Sequence, residues 1–395
     1  MDARIPHSTY GALFLRFLRF GFLAWGGPVA QIAMIKKDLV EEERWISVER
    51  FNRALAVYQV LPGPEAHELC VYFGMLARGR LGAILAGLGF MLPGFVLMFA
   101  LSGWYVAFGI RSPVFTAVFL GLQSAVVALI VRAVHRIGRH ALASRWLWGI
   151  AATGFVAGLL GVHFALTLAF AGLAHFFLRT RRLPVAAACG ALFLAAAVAS
   201  VLSLQLEAPV PGTPTPPGPL PSHAALLGCG FKSGMLTFGG AYTAIPFLQH
   251  DAVVVGGWIT NDRFLDGIAL SGVLPAPLII FSTFVGYLGG GPLGALAITL
   301  GVFLPAFGFT LIGHDLFERI TRNEKLHGFL DGVMAGVVGL IAATTVGLLR
   351  AGISGLPGLG LFAGALLVLY RWDSRAAVPV VILGTGAMGL GLFLR

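Results

Sequence analysis

Charge is what this sequence has least of. Asp, Glu, Lys and Arg make up 11% of its 395 residues, whereas a soluble domain carries about a quarter, so a water-soluble globular fold is excluded for most of the chain. Cysteine is nearly absent: Cys70, Cys189 and Cys229 stand singly inside apolar stretches, without the paired spacing that a zinc or thiol-redox site requires. They read as small core residues. No catalytic constellation is present either. The 54 glycines produce GG and GxG matches of the kind that small-residue helix packing produces, and none forms a phosphate-binding loop. His135 and His140 fall in a basic loop, and His163 and His175 lie twelve apart without acidic partners; these read as interface residues. Neither an enzyme, a resident cofactor nor a bound metal is expected. A cleavable signal is not expected, because Arg16 and Arg19 interrupt the first apolar run.

What is present instead is apolar length. Hydrophobic residues reach 57% and the mean hydropathy is +0.88, which predicts an all-α, polytopic membrane protein. Thirteen spans are expected, near 10–35, 51–77, 81–108, 113–135, 146–161, 163–178, 184–204, 223–249, 264–288, 292–317, 328–350, 353–371 and 376–394. Residues 146–178 are divided because one helix of that length would run ~50 Å through a ~30 Å hydrocarbon core; Gly161 offers the turn. With the N-terminus in the cytoplasm and the C-terminus outside, Arg78, Arg80, Arg132, Arg136, Arg139, Arg145, Arg179, Arg181, Arg182, Arg319, Arg322, Lys325, Arg371 and Arg375 all fall inside. Outside fall only Arg111, Arg350, Arg395 and the segment 36–53, which mixes five cations with Asp38, Glu41, Glu42, Glu43 and Glu49, holds Trp45, and reads as an amphipathic helix lying in the interface. The net charge of +10 therefore reports orientation in the inner (plasma) membrane, with the lipid bilayer and not nucleic acid as partner. A homo-oligomer is left open.

The chain also repeats itself. Residues 19–64 align without a gap on 232–277 with 16 of 46 pairs identical, among them Gly21/Gly234, Gly26/Gly239, Gly27/Gly240, Trp45/Trp258, Pro62/Pro275 and Pro64/Pro277. With one residue dropped from the second copy, the match continues through Gly74/Gly286, Gly82/Gly294 and the Leu-Pro pairs 92–93 and 304–305. Two homologous halves follow, 1–205 with about seven spans and 223–395 with about six, joined by a Pro-rich stiff linker over 206–222. An odd number of spans separates the start of the copies, so the repeat is inverted.

Each copy opens with a cation seven residues before a Gly pair: Arg19 before Gly26-Gly27-Pro28, and Lys232 before Gly239-Gly240. A charge within an apolar span marks a functional site unless it snorkels to the membrane edge; snorkelling is the reading for Arg16, function that for Arg19 and Lys232. Gly-Gly-Pro interrupts a helix, and with Pro28 as first residue of a new half-helix the free amides and positive helix end would face the break and suit an anion. A packing kink is the alternative. The sharper break is Pro62-Gly63-Pro64, matched by Pro275-Ala276-Pro277, where two prolines disrupt successive helical hydrogen bonds. The pair Pro93 and Pro305 reads as an ordinary kink. Glu65, His67 and Glu68 follow the first Pro-x-Pro only, either as proton-coupling groups or as a complement to the helix dipole.

The ordered run FGFLAWGGPVAQIAMIKKDL, RW, VLPGPEAHELCVYFGMLARGRLGA and GFMLPGF, followed by SGMLTFGGAYTAIPFLQHDAV, GWIT, SGVLPAPLIIFSTFVGY and FLPAF, resembles the two halves of the long form of the chromate ion transporters. The resemblance implies export of chromate from the cytoplasm by a protein of inverted halves. Chromate is a tetrahedral dianion, and so is sulfate, so a sulfate or general oxyanion carrier shares these features; an anion channel and a membrane enzyme are the remaining alternatives. Moving two negative charges out of a negative-inside cell gains ~4.6 kcal/mol per 100 mV, so export could run on membrane potential alone.

Overall fold

The computed structural model describes residues 9–25, 27–59, 61–108, 112–206, 220–238, 240–320, 324–372, 374 and 376–394. The expected 206–222 linker lies almost wholly outside them. Among the described residues there are fifteen α-helices and no strand: α1 (Tyr10–Phe22), α2 (Pro28–Ile35), α3 (Val48–Tyr58), α4 (Glu65–Phe108), α5 (Pro113–Ala141), α6 (Arg145–Leu159), α7 (Phe164–Arg179), α8 (Leu183–Leu206), α9 (His223–Met235), α10 (Ile245–Gln249), α11 (Asn261–Gly272), α12 (Phe281–Ile320), α13 (Glu324–Gly352), α14 (Gly355–Arg371) and α15 (Ala377–Phe393).

The duplication recurs element by element. Thr9 caps α1 and Ser222 caps α9, each hydroxyl accepting an amide three residues on at 3.2 Å; Ser47 and Thr260 do the same for α3 and α11, satisfying donors the helix cannot. After the first break of each copy comes a short helix that loosens into π-helical turns, Lys36–Glu42 in the first and His250–Val255 in the second. In α4 the backbone leaves the helix at Arg78 and Gly79 (φ −147°, ψ 27°; φ 64°, ψ −154°), and in α12 at Gly290 and Gly291 with nearly the same angles (φ −157°, ψ 22°; φ 62°, ψ −153°). Each is thus a helical hairpin. Its arms close where Gly74 meets Gly82 and Gly286 meets Gly294, backbone against backbone, leaving no room for a side chain. Gly21 of α1 likewise packs on Phe90 and Pro93, and Gly234 of α9 on Val302 and Pro305, so the third proline pair serves packing.

Among the described residues, five helical stretches are long and apolar enough to cross a membrane: Glu65–Phe108, Pro113–Ala141, Leu183–Leu202, Leu278–Ile312 and His327–Gly352. The other expected spans are shorter helices or are interrupted by breaks. Residues 146–178 do form two helices, turning at Gly161 (φ 76°). The expected interfacial helix over 36–53 is not one helix. The chain reverses at Arg44 (φ 57°) and Ser47 starts α3, while Trp45 is drawn into the core, 1% exposed, edge-on to Phe73 at 6.0 Å.

The helices pack as two compact units, one of Met1–Arg132, Pro219–His314 and Leu348–Arg395, the other of Ala133–Gly218 and Asp315–Gly347. The first holds the breaks of both copies. In the second, α6 and α7 pack on the N-terminal part of α13 through Gly154, Gly336 and Gly339. His175 belongs to that packing and not to an interface: it is buried and its Nδ1 lies 2.6 Å from the Gly328 carbonyl. His163 caps α7 by accepting from the Ala165 amide at 3.3 Å. Cys70 and Cys229 are buried as expected; Cys189 is half-buried.

Candidate functional site at the helix breaks

Proline and glycine place the breaks as the sequence predicts. Helix α1 ends at Phe22, Gly27 takes φ 80°, and Pro28 opens α2 with the ring where a helical N–H would have no partner. In the second copy α9 ends at Met235 and Gly240 (φ 122°) leads into a 3-10 turn over Ala241–Ala244. Gly26 and Gly239 lie outside the described residues. The Pro-x-Pro segments are non-helical in both copies, with Pro62, Gly63, Pro64, Pro275, Ala276 and Pro277 all buried. Unwound backbone at membrane depth is tolerated where it is buried in protein, as here, or lines a water-filled cavity.

The breaks of the two copies meet each other. The Gly63 amide donates to the Thr237 carbonyl at 2.8 Å, joining the second break of one copy to the first break of the other. The reverse link is made by Gln31 of α2, 1% exposed, whose Nε2 donates to the carbonyls of Ala24 (2.9 Å) and Ala276 (3.0 Å). Packing shows the same reciprocity. Gly63 faces Ala306 of α12, while Ala276 faces Gly94 of α4, and Gly94 and Ala306 are aligned residues of the two hairpins. Each crossing takes one glycine and one alanine, which explains why one copy reads Pro-Gly-Pro and the other Pro-Ala-Pro. A Gly94→Ala change, favourable by ~1 kcal/mol in an open helix, is therefore expected to destabilise by ~1–3 kcal/mol through overpacking, and Ala276→Gly in the same chain to restore stability. Thermal unfolding in detergent of the single and double variants reads this directly; a Gly94→Ala protein as stable as the parent would refute the close crossing.

Glu65, His67 and Glu68 occupy the first turn of α4, 7%, 0% and 0% exposed. His67 and Glu68 face different surroundings. The Glu68 carboxyl lies over the break, so that a Cβ built on Gly63 would stand 2.8 Å from its Oε1, and neither oxygen has a hydrogen-bond partner. The His67 ring is boxed by Phe303 (4.9 Å), Phe307 (4.8 Å) and Phe90 (6.5 Å). Among the cations, Lys232 is held by Asp251 at 2.5 Å, and Arg19 lies on an exposed face of α1. Arg16, expected to snorkel, is instead clasped by both oxygens of Glu43 and stands over the Trp45 ring at 5.4 Å. Arg16 and Lys232 thus play one part, tying the first helix of each copy to the segment at its π-helical turns.

Two residues escaped the sequence reading. Gln31 is the single polar side chain of 28–35, and Asp266 the single charged one of 264–288; a lone polar group in an apolar stretch was the available signal. Asp266 is 5% exposed and accepts from Tyr105 Oη (2.6 Å) and Gln123 Nε2 (2.8 Å).

Duplicated apolar helices whose buried breaks face each other define a polytopic membrane transporter. The sequence pattern of the chromate transporter family matches residues 11–176 and 224–390, and the chain belongs to that family. It is 54% identical to a chromate transport protein of Pseudomonas aeruginosa, over 99% of this chain and 94% of that one. A probable chromate transport protein of Synechococcus elongatus is 30% identical over 95% and 93% of the two chains, and a chromate transport protein of Cupriavidus metallidurans 30% identical over 98% and 94%. No solved structure matches.

Proposed function

We propose that this transporter exports chromate from the cytoplasm across the inner membrane by alternating access, through thirteen spans arranged as inverted halves, 1–205 and 223–395, about the 206–222 linker. The observation that carries the reading is the reciprocal meeting of the breaks, Gly63 with Thr237 and Gln31 with Ala276. Separate helices α6 and α7 support the odd span count on which the inversion rests. The anion binds where the halves face each other, at Gly26, Gly27 and Pro28, Gly239 and Gly240, and the two Pro-x-Pro segments. The Gly63 amide and the Gln31 amide nitrogen exchange carbonyl partners for chromate oxygens as one half rocks on the other. Arg19 and Lys232 supply attraction, and Glu65, His67 and Glu68 are the candidates for proton coupling beside the first Pro-x-Pro break. The N-terminus lies in the cytoplasm and the C-terminus outside.

Uptake of labelled chromate into inverted vesicles under an inside-positive potential, with sulfate as competitor, tests this. Saturable uptake that sulfate barely inhibits is expected; equal inhibition would make the protein a general oxyanion carrier, and no uptake by inserted protein would sink the transport reading. In the same vesicles Arg19→Ala and Lys232→Ala should abolish uptake, and wild-type rates in both would remove the cations from the site. Glu65→Gln retaining the full response to a pH gradient would remove that acid from the coupling.

A further inference from the structure

We propose that Asp266, together with Tyr105 and Gln123, is a proton-binding site that couples anion movement to a proton moving the opposite way. The inference rests on the transport reading above, but on a different set of residues from Glu65, His67 and Glu68.

The three side chains come from different elements of the first unit: Tyr105 from the second arm of α4, Gln123 from α5 and Asp266 from α11. All are buried, at 4%, 4% and 5% exposure. Tyr105 is jacketed by Phe119 (5.3 Å) and Phe284 (4.9 Å), edge-on to both, which keeps water from the phenol side. The charged and titratable groups that face Asp266 are Tyr105 of α4 and, on its own helix, Asp262 and Arg263. Helix α15, also packed on α11, carries none, α5 presents the neutral Gln123, and the 3-10 turn Leu278–Ile280 is apolar. No salt bridge reaches Asp266 among the described residues, so its two hydrogen bonds come from neutral donors.

That arrangement has a bonding pattern for each protonation state. With Asp266 ionised, the Tyr105 hydroxyl and the Gln123 amide N–H donate to its two oxygens, and Gln123 Oε1 is left buried without a partner. A proton arriving on Oδ1 turns that oxygen into a donor, the Gln123 amide rotates, and the orphaned Oε1 accepts it. An O–H bond forms on entry and breaks on exit, with no redox change. Access lies one helical turn away, where Asp262 is exposed and its carbonyl already accepts from Gln123 Nε2 at 3.3 Å. The link to the anion site is short and stiff: α11 runs from Asp266 to Gly272 and on into the Pro275-Ala276-Pro277 break, and the α4 arm that carries Tyr105 also carries Gly94, against which Ala276 packs. In the first copy the aligned residue is Arg53, on an exposed position, so the site exists once in the protein.

The test uses inverted vesicles with the membrane potential clamped at zero. An acid interior is expected to drive chromate in, and Asp266→Asn, which imitates the protonated acid, to lose that response while retaining chromate–chromate counterflow. Counterflow also reports that the variant is folded. Asp266→Glu should recover part of the response. A wild-type protein indifferent to the pH gradient, an Asp266→Asn protein that still responds, or one that loses counterflow as well overturns the proposal. Acid–base infrared difference spectra of the reconstituted proteins judge the site without chromate: a carboxylic-acid band present in the wild type should be missing from Asp266→Asn, and identical spectra would overturn it. Absence of any chromate uptake by the wild type would strike the transport reading, leaving the infrared result to decide on Asp266.

Discussion

Gly63→Ala is expected to lower chromate transport by about tenfold or more per inserted molecule. Gly63 has φ 148°, a backbone region that a residue with a Cβ enters only at a cost of ~1–3 kcal/mol, and each 1.4 kcal/mol is about a factor of ten in the population of a state. Strain is not the whole effect. The new methyl would also stand 2.8 Å from Glu68 Oε1, 2.9 Å from its Cδ and 3.3 Å from the Ala306 Cβ, and Glu68 is fully buried with little space to retreat. Gly27 and Gly240 separate the two contributions: their φ values are 80° and 122°, yet a Cβ on either meets nothing within 4 Å. Gly27→Ala and Gly240→Ala therefore carry strain alone and should impair less than Gly63→Ala. Equal rates in vesicles for Gly63→Ala and the wild type would mean that this break does not hold its geometry during transport.

Gln31→Leu should be the most damaging single change that preserves side-chain bulk. It removes the amide that serves Ala24 and Ala276 together, and it leaves both carbonyls in an apolar surrounding at ~1–3 kcal/mol for each unsatisfied group. Leucine itself is welcome in a helix and replaces the packing, so the loss belongs to the hydrogen bonds. The expected result is lower thermal stability in detergent together with loss of saturable uptake, because Gln31 is also a proposed donor to the anion. Gln31→Glu keeps an acceptor-bearing side chain of the same shape but presents an anion to the substrate, so it should lose uptake even where the protein remains folded. Retained uptake by Gln31→Leu would show that the Gln31 link is incidental to the site.

Much of the fold was legible because the relevant physics is local. Proline at 28 follows a glycine pair, those at 62, 64, 275 and 277 stand close to a second proline, and the breaks fall there, whereas the lone Pro93 and Pro305 stay inside α4 and α12. The duplication needed only alignment, and it paired Gly74 with Gly286 and Gly82 with Gly294, the glycines at which the hairpin arms close. Gly161 marked the turn between α6 and α7 by the same local preference.

What the sequence could not carry was the choice among partners. Arg19 and Lys232 look equivalent by alignment, yet it is Arg16 that reaches Glu43, because helical facing and the reversal at Arg44 decide which cation meets which carboxylate. His67 and Glu68 are neighbours in sequence, but successive helical residues point to different sides, one into an aromatic box and one over Gly63. Asp266 met Tyr105 and Gln123 across separations of 161 and 143 residues, a distance at which no periodicity reports a contact. Composition, proline and duplication determined by themselves that this chain is an apolar, twice-built, broken-helix protein, since those properties depend on each residue and its near neighbours. Tertiary structure alone decided that the breaks of the two copies face each other and which polar groups stand between them, because that depends on how helices far apart in the chain pack.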